Sequence, residues 1–338
     1  MKFNMSKRNK GIEILRMFLC FRIVLLHCYS SNNRFINKLR GHFFQVPCFF
    51  FMSFYFLYPT IQKRNIIKMK IRLERIFVPY IIYPIIVWIS NNMMFILFKI
   101  NRFNRLLTLN ELKIHIIIGR GIKNISVLWF LFDLQILTIL FFILTFILKD
   151  NFLWIFQIIA LFCYIIQYKE IHYLFFIQYT NKIFTSIGNF VEIIPLAIAA
   201  FSLSNIEYIQ KIANKKWKII FSFTFLFYFI YEYNVITPIK GMSSPGIKPL
   251  IASFFLFSVF SFNIFEFDKL KISLFISKAT LYTKGIYCQH KIVHSYINFY
   301  YGKKTTFFGC IIIYIISYFI SFIGFHIFSK TKLRFLFI

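Results

Sequence analysis

The sequence predicts an all-α polytopic integral membrane protein, a bundle of about ten transmembrane helices with no soluble domain. Three observations lead there. The composition is 59% hydrophobic with a mean hydropathy of +0.68 and only 15% charged residues. Apolar stretches recur at 11–30, 42–60, 76–98, 127–148, 152–168, 183–203, 217–233, 249–265, 279–298 and 306–328, each near the ~20 residues that cross a hydrocarbon core. Lys and Arg outnumber Asp and Glu by 40 to 11, and they sit in the short connections rather than in one patch. That is the pattern of positive-inside topology and not of nucleic-acid binding. Ten spans leave little of the 338 residues over, so 1–338 reads as a single membrane domain.

Taken in order, the start is basic like the first region of a signal peptide. However, Glu13, Arg16 and Arg22 interrupt the apolar run and no small-residue cleavage site follows, which predicts a retained first span. The second span leads into Gln62–Arg75, read as a cytoplasmic loop with Lys63, Arg64, Lys68, Lys70, Arg72 and Arg75. After the third span a basic outer connection contains Leu112–Ile118, read as an interfacial helix. The fifth stretch, Phe152 to Tyr168, is the shortest and keeps a nine-span alternative open. Glu207–Lys218 is a second basic inner loop, and both termini are expected in the cytoplasm. Cys20, Cys28, Cys48, Cys163, Cys288 and Cys310 all lie in apolar runs without CxxC spacing, so neither disulfides nor a cysteine metal site is expected.

A charge inside hydrocarbon costs at least a few kcal/mol near a helix centre, which makes each one a functional candidate. In the first span Arg16 and His27 lie about 20° apart around a helix and roughly 16 Å apart along it. Glu13 is about 40° from His27 and within reach of Arg16. One stripe therefore carries a carboxylate, a guanidinium and an imidazole. The bland alternative is that Glu13 and Arg16 snorkel or pair at the cytoplasmic end while His27 is a satisfied bundle histidine. Arg22 points about 120° away from Arg16 and reads as structural. Asp133 and Glu192 are further intramembrane carboxylates, counter-ions for Arg16, Arg22, Lys284 or Lys291 in pairings the sequence leaves open. His290 and His294 have the i, i+4 spacing of metal ligands but no third ligand at a recognised spacing, so no metal is expected. GxSxG, HExxH and Walker A motifs are absent.

Several segments, in order, carry a family resemblance. Gly11-Ile-Glu-Ile-Leu-Arg16 followed by His27 is similar to the I-D-x-L-R and later H that open the membrane acyltransferase-3 family, with Glu13 in place of Asp. Val46-Pro47-Cys-Phe-Phe-Phe-Met-Ser53 resembles its V-P-x-F-F-x-x-S-G segment, with Phe54 where Gly is usual, a change expected to alter packing and narrow the cavity. Arg72-Leu-Glu-Arg75 with Pro79-Tyr80 resembles its R-x-x-R-I-x-x-P-Y junction. Leu128-Trp129-Phe130-Leu131 resembles its L-W-F-L, and Gly285-Ile-Tyr287-Cys-Gln-His290 its G-I-Y-L-x-H, with Lys291 where Pro commonly follows. The matches run from residue 11 to 294.

The resemblance implies an enzyme of the bacterial cytoplasmic (inner) membrane. It would move an acyl group, acetyl above all, from acyl-CoA to a hydroxyl of a cell-surface or exported carbohydrate or lipid-linked glycan. Acyl-CoA is then a donor substrate, and no cofactor is expected to be permanently bound. His27 would be the general base, with Arg16 and Glu13 beside it in the catalytic set, while Arg72 and Arg75 would bind the donor phosphates. For Arg72 and Arg75 the bland reading is plain topology. A flippase or transporter of a lipid-linked sugar, or a noncatalytic subunit of an export machine, are the alternatives. The former commonly shows half-to-half repeats and broken helices, neither of which is evident with 11 Gly in the chain.

Overall fold

The computed structural model describes residues 9–29, 45–98, 106–119, 128–168, 182–205, 247–261, 279–301 and 305–338. Within them the chain is helical and no strand occurs. The α-helices are α1 (Lys10–Cys28), α2 (Gln45–Gln62), α3 (Ile66–Phe98), α4 (Leu109–Ile118), α5 (Trp129–Leu148), α6 (Phe152–Tyr168), α7 (Lys182–Asn205), α8 (Ile247–Ser261), α9 (Thr283–Tyr301) and α10 (Phe307–Ile327). Nine of the ten predicted apolar stretches coincide with helices, and the stretch 217–233 lies outside the described residues. By length and composition, three helices are apolar and long enough to cross a membrane: Ile66–Leu97, Trp129–Leu148 and Phe307–Ile327. Their outward faces carry bare hydrocarbon, for example Ile147, Phe308 and Ile327, as a lipid-facing surface must.

Local chemistry explains where the helices begin. The Asn9 side chain accepts from Ile12 N–H at 3.2 Å to cap α1. Thr108 and Glu111 form a capping box on α4, which covers the helix expected at Leu112–Ile118, and Gly119 ends it at φ 76°. Thr306 caps α10.

One expectation is corrected. Gln62–Arg75 is not a loop: only Lys63, Arg64 and Asn65 turn, and α3 begins at Ile66. The Asn65 side chain accepts from Lys68 N–H at 2.9 Å, and no Pro or Gly interrupts the chain before Pro79. The basic residues therefore ride on a rigid helical extension of the third span.

Packing is aromatic at its centre. Phe54 of α2 is fully buried, 5.5 Å from Phe141 of α5 and 5.9 Å from Phe201 of α7. In α1 and α9 the residues climb together. Cys20 Sγ donates to the Thr283 carbonyl at 3.3 Å and the His27 ring stacks on His290, so the two helices run parallel. Helix α10 returns antiparallel, with Tyr282 against Tyr318 and His294 Nε2 3.1 Å from Thr305 Oγ1.

At Gly11 of α1 a side chain is excluded, because a Cβ there would overlap the Phe260 carbonyl at the end of α8. Gly11→Ala is expected to lower stability by about 1–3 kcal/mol through overpacking, read as a lower thermal midpoint of the detergent-purified protein. An unchanged midpoint would mean that α1 and α8 do not approach this closely.

Candidate active site

A cavity of about 520 Å³ opens among α1, α2, α3, α5 and α9. Arg16 reaches it from α1, Lys68, Arg72 and Arg75 from α3, and Lys284 from α9. No carboxylate side chain is among its lining residues. The extended α3 explains the cluster: Lys68, Arg72 and Arg75 recur at helical spacing and so share one face. Backbone oxygens hold these cations in place. Arg72 Nη2 donates to the Ser53 carbonyl at 2.6 Å, and Lys284 Nζ donates to the Arg75 carbonyl at 3.0 Å. Arg72 Nε is buried with no hydrogen-bond partner among the described residues. Several positive side chains converge here with no acidic side chain among the lining residues, an arrangement that can take an anionic ligand, and guanidinium forks suit phosphate oxygens.

Aromatic side chains line the cavity too, namely Phe49, Phe130 and Tyr287. Phe54 is not among the lining residues: its ring is turned into the α5–α7 core, so the substitution thought to narrow the cavity fills the bundle interior instead.

His27 lies elsewhere. It does not line the cavity and stacks on His290 at 5.5 Å between centroids and 26° between planes. Arg16 and His27 share a stripe of α1, as expected, but serve two levels of the bundle. The Tyr287 ring links the levels, since it lines the cavity and lies 6.1 Å from the His290 ring. His290 Nδ1 lies 3.2 Å from the Ile286 carbonyl, which only a ring N–H satisfies, so a neutral His290 carries its lone pair on Nε2. That atom is buried without a partner among the described residues. His290 and His294 engage different groups, the Ile286 carbonyl and Thr305, rather than one centre.

Glu13 is buried near the start of α1. Arg22 is buried with its guanidinium 5.9 Å from the Phe18 ring centroid, away from the cavity lining. Asp133 is fully buried in α5, and the side chain of Glu192 lies outside the described residues. The sequence named Lys284 only as a possible ion-pair partner and Tyr287 only within a family-like segment, and it did not point to Ile338 of the C-terminal segment; all three line the cavity. A lysine one turn before a Tyr and two turns before a His in an apolar span was the available signal for the first two.

No curated protein and no solved structure matches the chain. The acyltransferase-3 family model, described as an acyltransferase domain, matches residues 9–328. That match takes in the cationic side chains of the cavity and the histidine level. The chain belongs to the acyltransferase-3 family and, with its apolar helices, is an integral membrane acyltransferase.

Proposed function

We propose that this acyltransferase moves an acetyl group from acetyl-CoA to a hydroxyl of a surface or exported carbohydrate, or of a lipid-linked glycan, at the bacterial inner membrane. The carrying observation is the cavity in which Arg16, Arg72, Arg75 and Lys284 converge with no carboxylate among the lining side chains. A coenzyme A ester is a polyphosphate joined by a long flexible arm to a thioester, and this arrangement offers matching parts. Arg72 and Arg75 bind the phosphates, Arg16 and Lys284 neutralise what remains, and the Phe49, Phe130 and Tyr287 wall guides the arm toward the histidine level. Phosphates and thioester need not meet the same residues, so the rise of roughly 16 Å from Arg16 to His27 suits a donor of this shape.

At the far end a sugar hydroxyl is a poor nucleophile and needs a base; imidazole has the right basicity near neutral pH. His27 accepts the hydroxyl proton as the oxygen attacks the thioester carbonyl. An O–C bond forms, the C–S bond breaks, and the departing thiolate takes the proton from the imidazolium. Glu13, buried on the same helix, supports the orientation of Arg16.

This reading takes the chain to cross the membrane ten times with both termini in the cytoplasm, because acyl-CoA is cytoplasmic. The parallel course of α1 and α9 agrees with their being the first and ninth of alternating crossings. Reporter fusions in the Lys63–Asn65 turn are expected to give a cytoplasmic signal; an external signal removes the donor site from its donor.

The direct test is transfer of radiolabelled acetyl from acetyl-CoA to a panel of glycans in proteoliposomes. Joint Arg72→Ala and Arg75→Ala removes two charge-assisted contacts and is expected to weaken donor binding by roughly a hundredfold or more with insertion intact. Lys at both positions recovers only part, lacking the planar fork. Unchanged donor affinity in the Ala pair returns these residues to a topological role.

His27→Gln keeps size and some hydrogen bonding but loses the proton acceptor. It is expected to lower kcat by about two to four orders of magnitude while acetyl-CoA affinity changes little. Near-native turnover would exclude His27 as the base.

A further inference from the structure

The chain does not leave the bundle at the end of α10. Residues 329–338 fold back across α3, with a short 3-10 helix at Lys332–Leu336, and Ile338 reaches the wall of the cationic cavity. This strap lies beyond the family match, which ends at 328.

Its attachments are specific. Lys332 Nζ pairs with Glu74 Oε1 at 2.7 Å. The Tyr83 hydroxyl donates to the Leu336 carbonyl at 2.9 Å, and Gln289 Nε2 donates to the Tyr83 oxygen at 2.7 Å, so a buried chain of hydrogen bonds joins α9, α3 and the strap. The Phe337 ring sits over Gly324, where any Cβ would strike it. Phe335 and Leu336 are buried. The Phe335 ring receives two guanidinium groups, Arg334 at 5.1 Å and Arg75 at 5.7 Å from its centroid.

The Arg75 guanidinium lies against the Phe335 ring, and Arg75 also lines the cavity. The same cavity is lined by the cationic side chains of Arg16, Arg72 and Lys284. Repulsion among them drives a long flexible side chain away from the others unless something attractive holds it. An aromatic face helps to hold it without neutralising its charge. A guanidinium already held in place also loses less freedom when a ligand binds.

We propose that the strap, through Phe335, positions the Arg75 guanidinium for the phosphates of the donor, so that Phe335 is a positioning residue and the strap a wall of the donor site. This rests on the donor-site reading of Arg72 and Arg75 given above.

The test measures equilibrium binding of radiolabelled acetyl-CoA to the full chain purified in detergent, with kcat and KM for the donor alongside. Phe335→Leu keeps a buried apolar side chain but removes the ring face. It is expected to weaken binding roughly two- to thirtyfold, to raise KM correspondingly and to change kcat less. Phe335→Tyr restores a ring face and is expected to recover most of that affinity. Full affinity in the Leu variant overturns the proposal, as does a Tyr variant that binds no better than Leu. If the Leu variant is not recovered as a folded protein, Tyr83→Phe cuts the strap's hydrogen bond to α3. Severalfold weaker binding then supports the proposal and unchanged binding overturns it. Failure of the unaltered chain to bind acetyl-CoA removes the donor-site reading and this proposal together, whereas normal binding by both it and the Leu variant removes only the proposal.

Discussion

The parallel packing of α1 against α9 is the contact on which the rest of the site depends. At one level Cys20 meets the Thr283 carbonyl, and two turns further on His27 stacks against His290. Seven residues separate the members of each helix, so the pair keeps register over about 10 Å. Near the lower level Arg16 and Lys284 converge on one cavity from two helices far apart in sequence. At the upper level the same register joins two imidazoles. A slip of one turn would separate both pairs at once.

Keeping several cations inside a bundle demands compensation, and carbonyls and rings contribute to it. Arg72 lies against the Ser53 carbonyl, Lys284 against the Arg75 carbonyl, Arg75 against the Phe335 ring and Arg22 near the Phe18 ring. Carbonyl dipoles and aromatic quadrupoles stabilise a cation without cancelling its charge. The side chains that line the cavity are therefore cationic, aromatic, aliphatic or hydroxyl-bearing, with no acidic side chain among them. That lining suits anionic ligands.

The architecture divides labour between dispersion and polarity. Helix α2 anchors an aromatic interior, where Phe54 meets Phe141 and Phe201 and leaves no room for solvent. Close packing of this kind must hold helices together in a membrane, since lipid tails offer no hydrophobic driving force. Rigid packing on that side gives the polar side a firm base, and α3 extends the base outward as a helix rather than as a loop.

Features that depend on spacing along one chain were legible before any fold was known. Apolar run lengths predicted the helices, 100° per residue put Glu13, Arg16 and His27 on one stripe, and ordered segments from Gly11 to His290 pointed to the family. The helix α4 was also legible from the apolar run Leu112–Ile118, because that signal is local. Tertiary structure decided the rest, since it depends on which helix faces which. It sent Arg16 to the cavity and His27 to His290, drew Lys284 to the carbonyl of Arg75 across 209 residues, and turned Phe54 away from the cavity. It also folded the last ten residues onto α3, with Tyr83 bonded to Leu336 across 253 residues. Periodicity sets the direction of a side chain around its own axis. Only the packing of neighbouring helices sets what that direction meets.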